Sequence, residues 1–562
     1  MTDIIVRTGH GPVRGEHRTD GTLRFLGIPY AQPPVGELRF AAPAPPTSWT
    51  EPLDATVYGP TAQRRPFAEV TTIPEPSIPG EGVLNLNVFT PAADPKAGLP
   101  VLVWIHGGGY VAGSAASPWY DGAAFNRDGV VLVSIGYRLG IEGFLQLEDA
   151  PDNRGVRDWI AALEWVRDNI AAFGGDPAKV TIAGQSAGGG AAQTLLAVPA
   201  ARGLFRAAIS VSGAVMRPQG RDLAEKVSAL FTSRTGVPAT AAALRVLTDD
   251  ELLDLQDRLC EPGLDGDAMP MPLLAPFADG ELVPQPVHEA LVDGEAGEDI
   301  ALMLGFTAHE FHMIEPPELG AALTDEMFRA PALAIAEARA RTGRPTWLYQ
   351  FEWQATAPAF EGLAHHCVDL PFAFNLLNAP GVPEALGDHP PQPLADALHE
   401  SWVRFVRDLD PSWPSYTPDT RATRIWSAEP HTAHDPLRDL RESSSPRDGR
   451  PGPDRATSLT RIHTAPDLIL NLAVSVGVLR RRVLSTGCWS GCFLCSGMVG
   501  PGAMAGCSGV LRVMGARLFS AHDDAGAGRT AIQVMGGSRP GACGRFAPGS
   551  RRSPSAGPAG DP

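Results

Sequence analysis

One serine in this chain stands where a hydroxyl can be made nucleophilic. In "VTIAGQSAGG" (180–189), Gly184, Ser186 and Gly188 form a G-x-S-x-G pattern directly after an apolar run and before "GGAAQTLLAV". Glycines two residues to either side permit a sharp strand-to-helix turn that leaves a strained, exposed serine, the geometry of an acyl-transfer nucleophile. Such chemistry needs donors for an oxyanion, and "WIHGGGY" (104–110) supplies a glycine run at the end of a strand-like segment. Gly108 and Gly109, with the N–H of Ala187, are the candidate oxyanion hole. No Lys-Ser or Lys-Thr follows the glycines, which excludes a phosphate-cradling P-loop. The acid that orients the base should lie between serine and histidine in chain order; Glu310 in "LMLGFTAHEF" fits, with Asp279 in "FADGE" as a competitor that reads more naturally as a turn. For the base, "GLAHHCVDLPF" (362–372) offers His365 and His366. Adjacent side chains diverge on a helix and on a strand alike, so at most one can serve.

These residues need a rigid frame. Up to about residue 441 the chain alternates β-branched apolar runs with helix-period segments, the pattern of a mostly parallel sheet flanked by helices. Segments 100–109, 129–137, 179–186, 205–213 and 299–306 read as buried strands, several ending in glycine-rich turns. Between them, 152–175 places Val156, Ile160, Leu163, Val166 and Ile170 at helical spacing and closes on Gly174 and Gly175. A second amphipathic helix, 394–410, aligns Leu394, Leu398, Trp402, Phe405 and Leu409.

The totals bound the function class. A chain of 562 residues, 44% hydrophobic, can fill a large core. The net charge of −17 is uneven: residues 442–562 hold 14 Arg, no Lys and 7 acids, leaving −24 on the first 441. An acidic body argues against nucleic acid as a partner. The N-terminus shows no signal-peptide pattern, and the longest uncharged apolar run, 468–479, is too short for a bilayer, which needs about 20 residues. We therefore expect a cytoplasmic protein without a membrane span. Cys260 and Cys367 lie in the body, and Cys488, Cys492, Cys495, Cys507 and Cys543 in the tail. The tail's C-x3-C-x2-C has no companion pair at zinc-finger spacing, so no metal site is expected.

The longer motifs resemble those of the type B carboxylesterases, the group that includes cholinesterases and bacterial para-nitrobenzyl esterases. The resemblance runs from "FLGIPYAQPPVGELRF" (25–40) through "LNLNVFTP" (84–91), "HGGGY", "YRLGIEGFL" (137–145), "FGGDPAKVTIAGQSAGG" (173–189) and "PFADGELVP" (276–284) to "WPSYTP" (413–418), about the first 440 residues. It implies the α/β-hydrolase fold, a Ser-Glu-His triad and no metal or organic cofactor. Matched motif by motif, it implies Ser186 as nucleophile, Glu310 as acid and Gly108, Gly109 and Ala187 as oxyanion donors. The family's His, two residues, acid, hydrophobic, Pro, Phe register selects His366 over His365. The implied activity is two-step hydrolysis of a small-molecule ester through an acyl-enzyme. The alternatives are a carbamate or amide hydrolase with the same triad, or a non-catalytic or inactive family member.

Three departures accompany it. Thr61 and Val83 stand where extracellular relatives carry a disulfide, consistent with a reducing compartment. Only 55 residues separate Glu310 from His366, which points to a shortening at about 320–325. Finally, residues 442–562 match no recognised pattern and read as a disordered extension or an out-of-frame tail. Trp104, Tyr110, Phe306, Phe311 and Phe372 are the aromatic candidates for a pocket, though aromatics at strand ends more often join the core.

Overall fold

Runs of buried β-branched residues dictate the centre of the fold. The computed structural model describes residues 3–444 apart from 63–64, 67–71, 214–218, 262–271, 295 and 315. Its strands are β1 (Asp3–Arg7), β2 (Pro12–His17), β3 (Leu23–Pro29), β4 (Leu53–Asp54), β5 (Asn85–Thr90), β6 (Leu99–Ile105), β7 (Val131–Ile135), β8 (Gly175–Gln185), β9 (Ala207–Val211), β10 (Ala301–Thr307), β11 (Thr346–Phe351), β12 (Ala422–Trp426) and β13 (His431–His434). They form one sheet in the order β1-β2-β3-β5-β7-β6-β8-β9-β10-β11-β12-β13, with β4 beside β2. From β7 to β12 all neighbours are parallel, while β1, β2, β3, β5 and β7 pair antiparallel in turn, β13 pairs antiparallel with β12, and β4 lies parallel to β2.

A parallel sheet needs cover on both faces. The alternation along β6 and β7 sends Val101, Val103, Ile105, Val131 and Val133 into one core cluster with Val156, Leu163 and Val166 of the helix Arg154–Asn169. Leu102, Trp104 and Leu132 enter a second cluster with Leu398, Trp402 and Phe405 of the helix Gln392–Asp408. Trp104 meets Phe374 edge-on at 4.9 Å and lies 6.3 Å from Trp402. Both predicted helices are therefore present, and Gly174 closes the first helical run at φ 86°. The five predicted strands are β6 to β10.

One buried ion pair locks the connection after β7. Arg138 Nε and Nη2 donate to the two Asp158 oxygens at 2.8 and 2.6 Å, and Nη1 reaches the Ala41 carbonyl. The side chains are 1% and 0% exposed, so neither charge can fall back on water. The described chain ends in the helix Arg438–Ser444. The tail from there to 562, with its five cysteines and the apolar run 468–479, lies outside the described residues, apart from 442–444. Among the described residues no helix is long and apolar enough to cross a membrane.

Removing one partner of a fully buried pair leaves the other charge stranded, at a cost of about 3–5 kcal/mol. Asp158→Ala is expected to destabilise the protein by about that amount, read as a fall in the urea midpoint.

Candidate active site

Ser186 occupies the turn between β8 and the helix Ala187–Ala197, with φ 56° and ψ −122°. This region is costly for a residue with a Cβ, and the surrounding structure has to impose it. Ser186 N–H donates to the Val211 carbonyl of β9 at 2.9 Å, and its own carbonyl accepts from Gly190 N–H at 2.9 Å. A Cβ at Gly188 would overlap the Ile105 carbonyl at the end of β6, so glycine is what lets the helix start against that strand. Ala187 opens the helix, and the first N–H groups of a helix have no intrahelical acceptor.

The glycine loop after β6 lies alongside. A Cβ at Gly107 would stand 3.2 Å from Ser186 Cβ. Gly108 adopts φ 110°, its carbonyl accepts from Val111 and Ala112 N–H, and a Cβ there would overlap the Ala112 carbonyl. Among the described residues, the N–H groups of Gly108, Gly109 and Ala187 donate to no carbonyl. His106 supports the loop from below: burial pushes its pKa down to about 4, its Nδ1 lies 2.8 Å from the Gly107 carbonyl, and its ring stacks on Tyr137 at 4.5 Å. The Tyr137 hydroxyl donates to the His106 carbonyl.

Glu310 follows β10 and is fully buried. Its Oε1 accepts from Ser212 Oγ–H at 2.7 Å and Thr307 N–H at 2.8 Å, and its Oε2 lies 2.5 Å from His366 Nδ1. Facing a carboxylate, Nδ1 carries the proton, and Nε2 of the neutral ring is left as an acceptor. The backbone joins the same loops, since His366 N–H donates to the Glu310 carbonyl at 3.1 Å and His309 N–H to the Ala364 carbonyl at 3.0 Å. Burial disfavours charge on His366, but the Cys367 and Glu310 groups beside it outweigh burial and hold its pKa well above the ordinary histidine value. Asp369, also fully buried, accepts from the Tyr349 hydroxyl at 3.1 Å. Burial, reinforced by the Glu310 charge, raises Asp369 to about 7.

The other candidates separate clearly. His365 is fully buried, stacked on Phe360 at 4.0 Å, with its ring nitrogens against the carbonyls of His366 and Ala385. It packs the loop and does not meet Glu310. Asp279 accepts from the N–H groups of Glu281 and Val283 and from the Asn153 side chain, which makes it a turn residue as expected. Of the aromatic candidates, Phe311 alone is in ring contact with His366, at 5.4 Å. Trp104, Phe306 and Phe372 are buried in the core, and Tyr110 packs on Phe144 and Trp159. These four therefore take the core role that strand-end aromatics more often have, rather than lining a pocket.

Three contacts escaped the sequence reading. Ser212 steadies Glu310 from the end of β9. Phe328 packs 5.2 Å from the His366 ring and comes from Asp325–Arg329, a π-helical segment joining the helices Pro317–Thr324 and Ala330–Arg341 at the suspected shortening. Gln185 Nε2 lies 3.0 Å from His366 Nε2. Among the described residues the Ser186 hydroxyl has no hydrogen-bond partner, so Glu310 and His366 meet directly while the link to Ser186 runs through its chain neighbour. The Gln185 signal was in "GQSAGG", where a buried amide beside a nucleophile is a polar group that must find a partner.

Comparison with known proteins accords with this geometry. The model of the carboxylesterase family matches residues 2–320, more than half of the chain. The chain belongs to the carboxylesterase family. It is 35% identical over 496 residues to the para-nitrobenzyl esterase of Bacillus subtilis (strain 168), covering 80% of this chain and all of that one. It is 32% identical over 498 residues to the phenmedipham hydrolase of Pseudarthrobacter oxydans, covering 76% and 95%. A solved structure of PNB esterase superposes with a TM-score of 0.71 at 32% identity, covering 79% of this chain and all of that one. The fold is the α/β-hydrolase fold, and the protein is a carboxylesterase, a serine hydrolase acting on ester bonds. The family match ends at residue 320, just before the segment that delivers Phe328 to His366.

For this carboxylesterase, Gly108→Ala forces a side chain into the Ala112 carbonyl and displaces the loop. A displaced loop carries the Gly108 and Gly109 N–H groups away from Ser186, and the expected outcome is a fall in kcat on an aryl ester of about 10²- to 10³-fold, the size typical of losing one oxyanion donor, together with a lowered melting temperature.

Proposed function

We propose that the enzyme cleaves small carboxylic esters through a Ser186–His366–Glu310 triad and an acyl-enzyme. The reading is carried by the 2.5 Å contact between His366 Nδ1 and the buried Glu310 carboxylate, which leaves Nε2 facing Gln185, the chain neighbour of Ser186. His366 takes the Ser186 proton as Oγ attacks the acyl carbon. The carbonyl oxygen becomes an oxyanion and is met by the N–H groups of Gly108, Gly109 and Ala187. The imidazolium then protonates the departing alcohol, and water, activated by the same base, releases the acid. Glu310 holds the tautomer and stabilises the charged ring. General acid–base transfer of this kind contributes about 10²- to 10⁴-fold.

A carbamate or amide hydrolase with the same triad is the second reading, and the phenmedipham hydrolase relative favours including phenmedipham among the substrates tried. We also propose a bacterial, cytoplasmic setting, supported by Thr61 and Val83 at the disulfide positions and by Cys260 and Cys367, which form no disulfide among the described residues. A body ending near residue 441, shortened around 320–325, is supported by the continuous helical run from Pro317 to Arg341.

The test is labelling by a fluorophosphonate and turnover of a short-chain aryl ester. Ser186→Ala should abolish labelling, and His366→Ala and Glu310→Gln should each remove most turnover, while His365→Ala should keep turnover per folded molecule at reduced stability. Survival without His366 together with loss on His365→Ala contradicts the assignment. The base works only when deprotonated and its pKa is held above the ordinary value, so kcat/KM should rise with pH along a limb whose midpoint lies above the ordinary histidine value of about 6.5.

A further inference from the structure

The Gln185–His366 contact has no part in the triad, yet it occupies the nitrogen on which the reaction depends. Gln185 ends β8, is 1% exposed, and sits against the glycine loop, since a Cβ at Gly107 would lie 2.7 Å from its carbonyl oxygen and 3.0 Å from its Oε1. Its Nε2 faces His366 Nε2 at 3.0 Å. An amide N–H can only donate, and the imidazole nitrogen can only accept when it carries no proton. This hydrogen bond therefore exists in the neutral, base-competent ring and is lost in the imidazolium.

We propose that Gln185 is a positioning residue for the base: its carboxamide N–H, donated to His366 Nε2, favours the neutral imidazole in the resting enzyme and so sets the pH below which the esterase loses activity. The inference rests on the reading that His366 is the base. The groups facing the ring are Glu310 from the loop after β10, Cys367 and Asp369 from its own loop, and His365 beside it. The rings of Phe311 and Phe328 close the remaining contacts. Glu310 draws a proton onto the imidazole from the Nδ1 side, and Gln185 opposes that from the Nε2 side. Without a donor there, the histidine would hold its second proton to higher pH and rest in the wrong state for catalysis. During turnover the serine hydroxyl takes over the same lone pair, so the amide acts as a placeholder that substrate binding displaces. A carboxylate in the same place would do the reverse, because an opposite charge within hydrogen-bond reach favours the charged form.

The experiment compares kcat/KM against pH on para-nitrophenyl acetate for the wild type, Q185E, Q185M and His366→Ala, with thermal unfolding as the check on folding. Q185E should move the acid limb upward by at least one pH unit. That is a tenfold or larger loss at a pH on the limb, recovering as the pH is raised. Q185M, which removes the donor without adding charge, should shift the limb the same way by less. Limbs that coincide with the wild type in Q185E and Q185M, while His366→Ala is inactive, overturn the role of Gln185 alone. Wild-type activity and pH profile in His366→Ala overturn the reading beneath it. If Q185E does not fold, Q185M decides: an upward limb supports the proposal and an unmoved one refutes it.

Discussion

A buried carboxylate held by three donors from separate parts of the chain is the constraint from which the site is built. Glu310 has no exposed surface and is held by Ser212, Thr307 N–H and His366. An ionised carboxylate without water is tolerable only when hydrogen bonds and a partner replace its hydration. Each of those donors comes from a separate part of the chain: the end of β9, the end of β10 and the loop before Leu370. The carboxylate thus ties three loops at the C-terminal edge of the sheet. It also fixes which histidine nitrogen carries the proton, and with it which nitrogen is available to a serine.

The sheet makes this arrangement precise. Parallel strands β6, β8, β9 and β10 end at the same edge, so the glycine loop, Ser186, Ser212 and Glu310 arrive together without long connections. The helices covering the two faces are chosen by the alternation of side chains along those strands. Where backbone approaches backbone, at Gly188 against Ile105 and at Gly108 against Ala112, no side chain fits. Strain at Ser186 is therefore held by packing and by strand hydrogen bonds rather than by the residue itself.

Much of this was legible in the sequence because it follows periodicity and motif. The apolar runs 100–109 and 179–186 read as buried strands and are β6 and β8, and the glycines around Ser186 marked the elbow. The acid and the base were harder. Glu310 alone looks like a surface carboxylate, and only the tertiary fold supplies Ser212 and Thr307 to satisfy it. His365 and His366 are equivalent by type, and the backbone bond from His366 N–H to the Glu310 carbonyl is what turns one toward the acid and the other onto Phe360. Phe328 was invisible because its position depends on how the run from Pro317 to Arg341 joins through a π turn. Most of the aromatic candidates joined the core, as strand-end aromatics more often do, because a two-faced sheet has ample core to enter, as Trp104 does against Phe374 and Trp402. The G-x-S-x-G pattern leaves the position of Gln185 open, and only the fold brings its amide to His366.

The central claim is that Glu310 holds the Nδ1 proton of His366. Proton NMR of the resting enzyme tests it most directly, because a proton shared between an imidazole Nδ1 and a buried carboxylate is strongly deshielded and slow to exchange. The account predicts one far-downfield resonance that persists in His365→Gln and vanishes in both Glu310→Gln and His366→Gln. A resonance that survives Glu310→Gln, or that disappears only with His365, would contradict it.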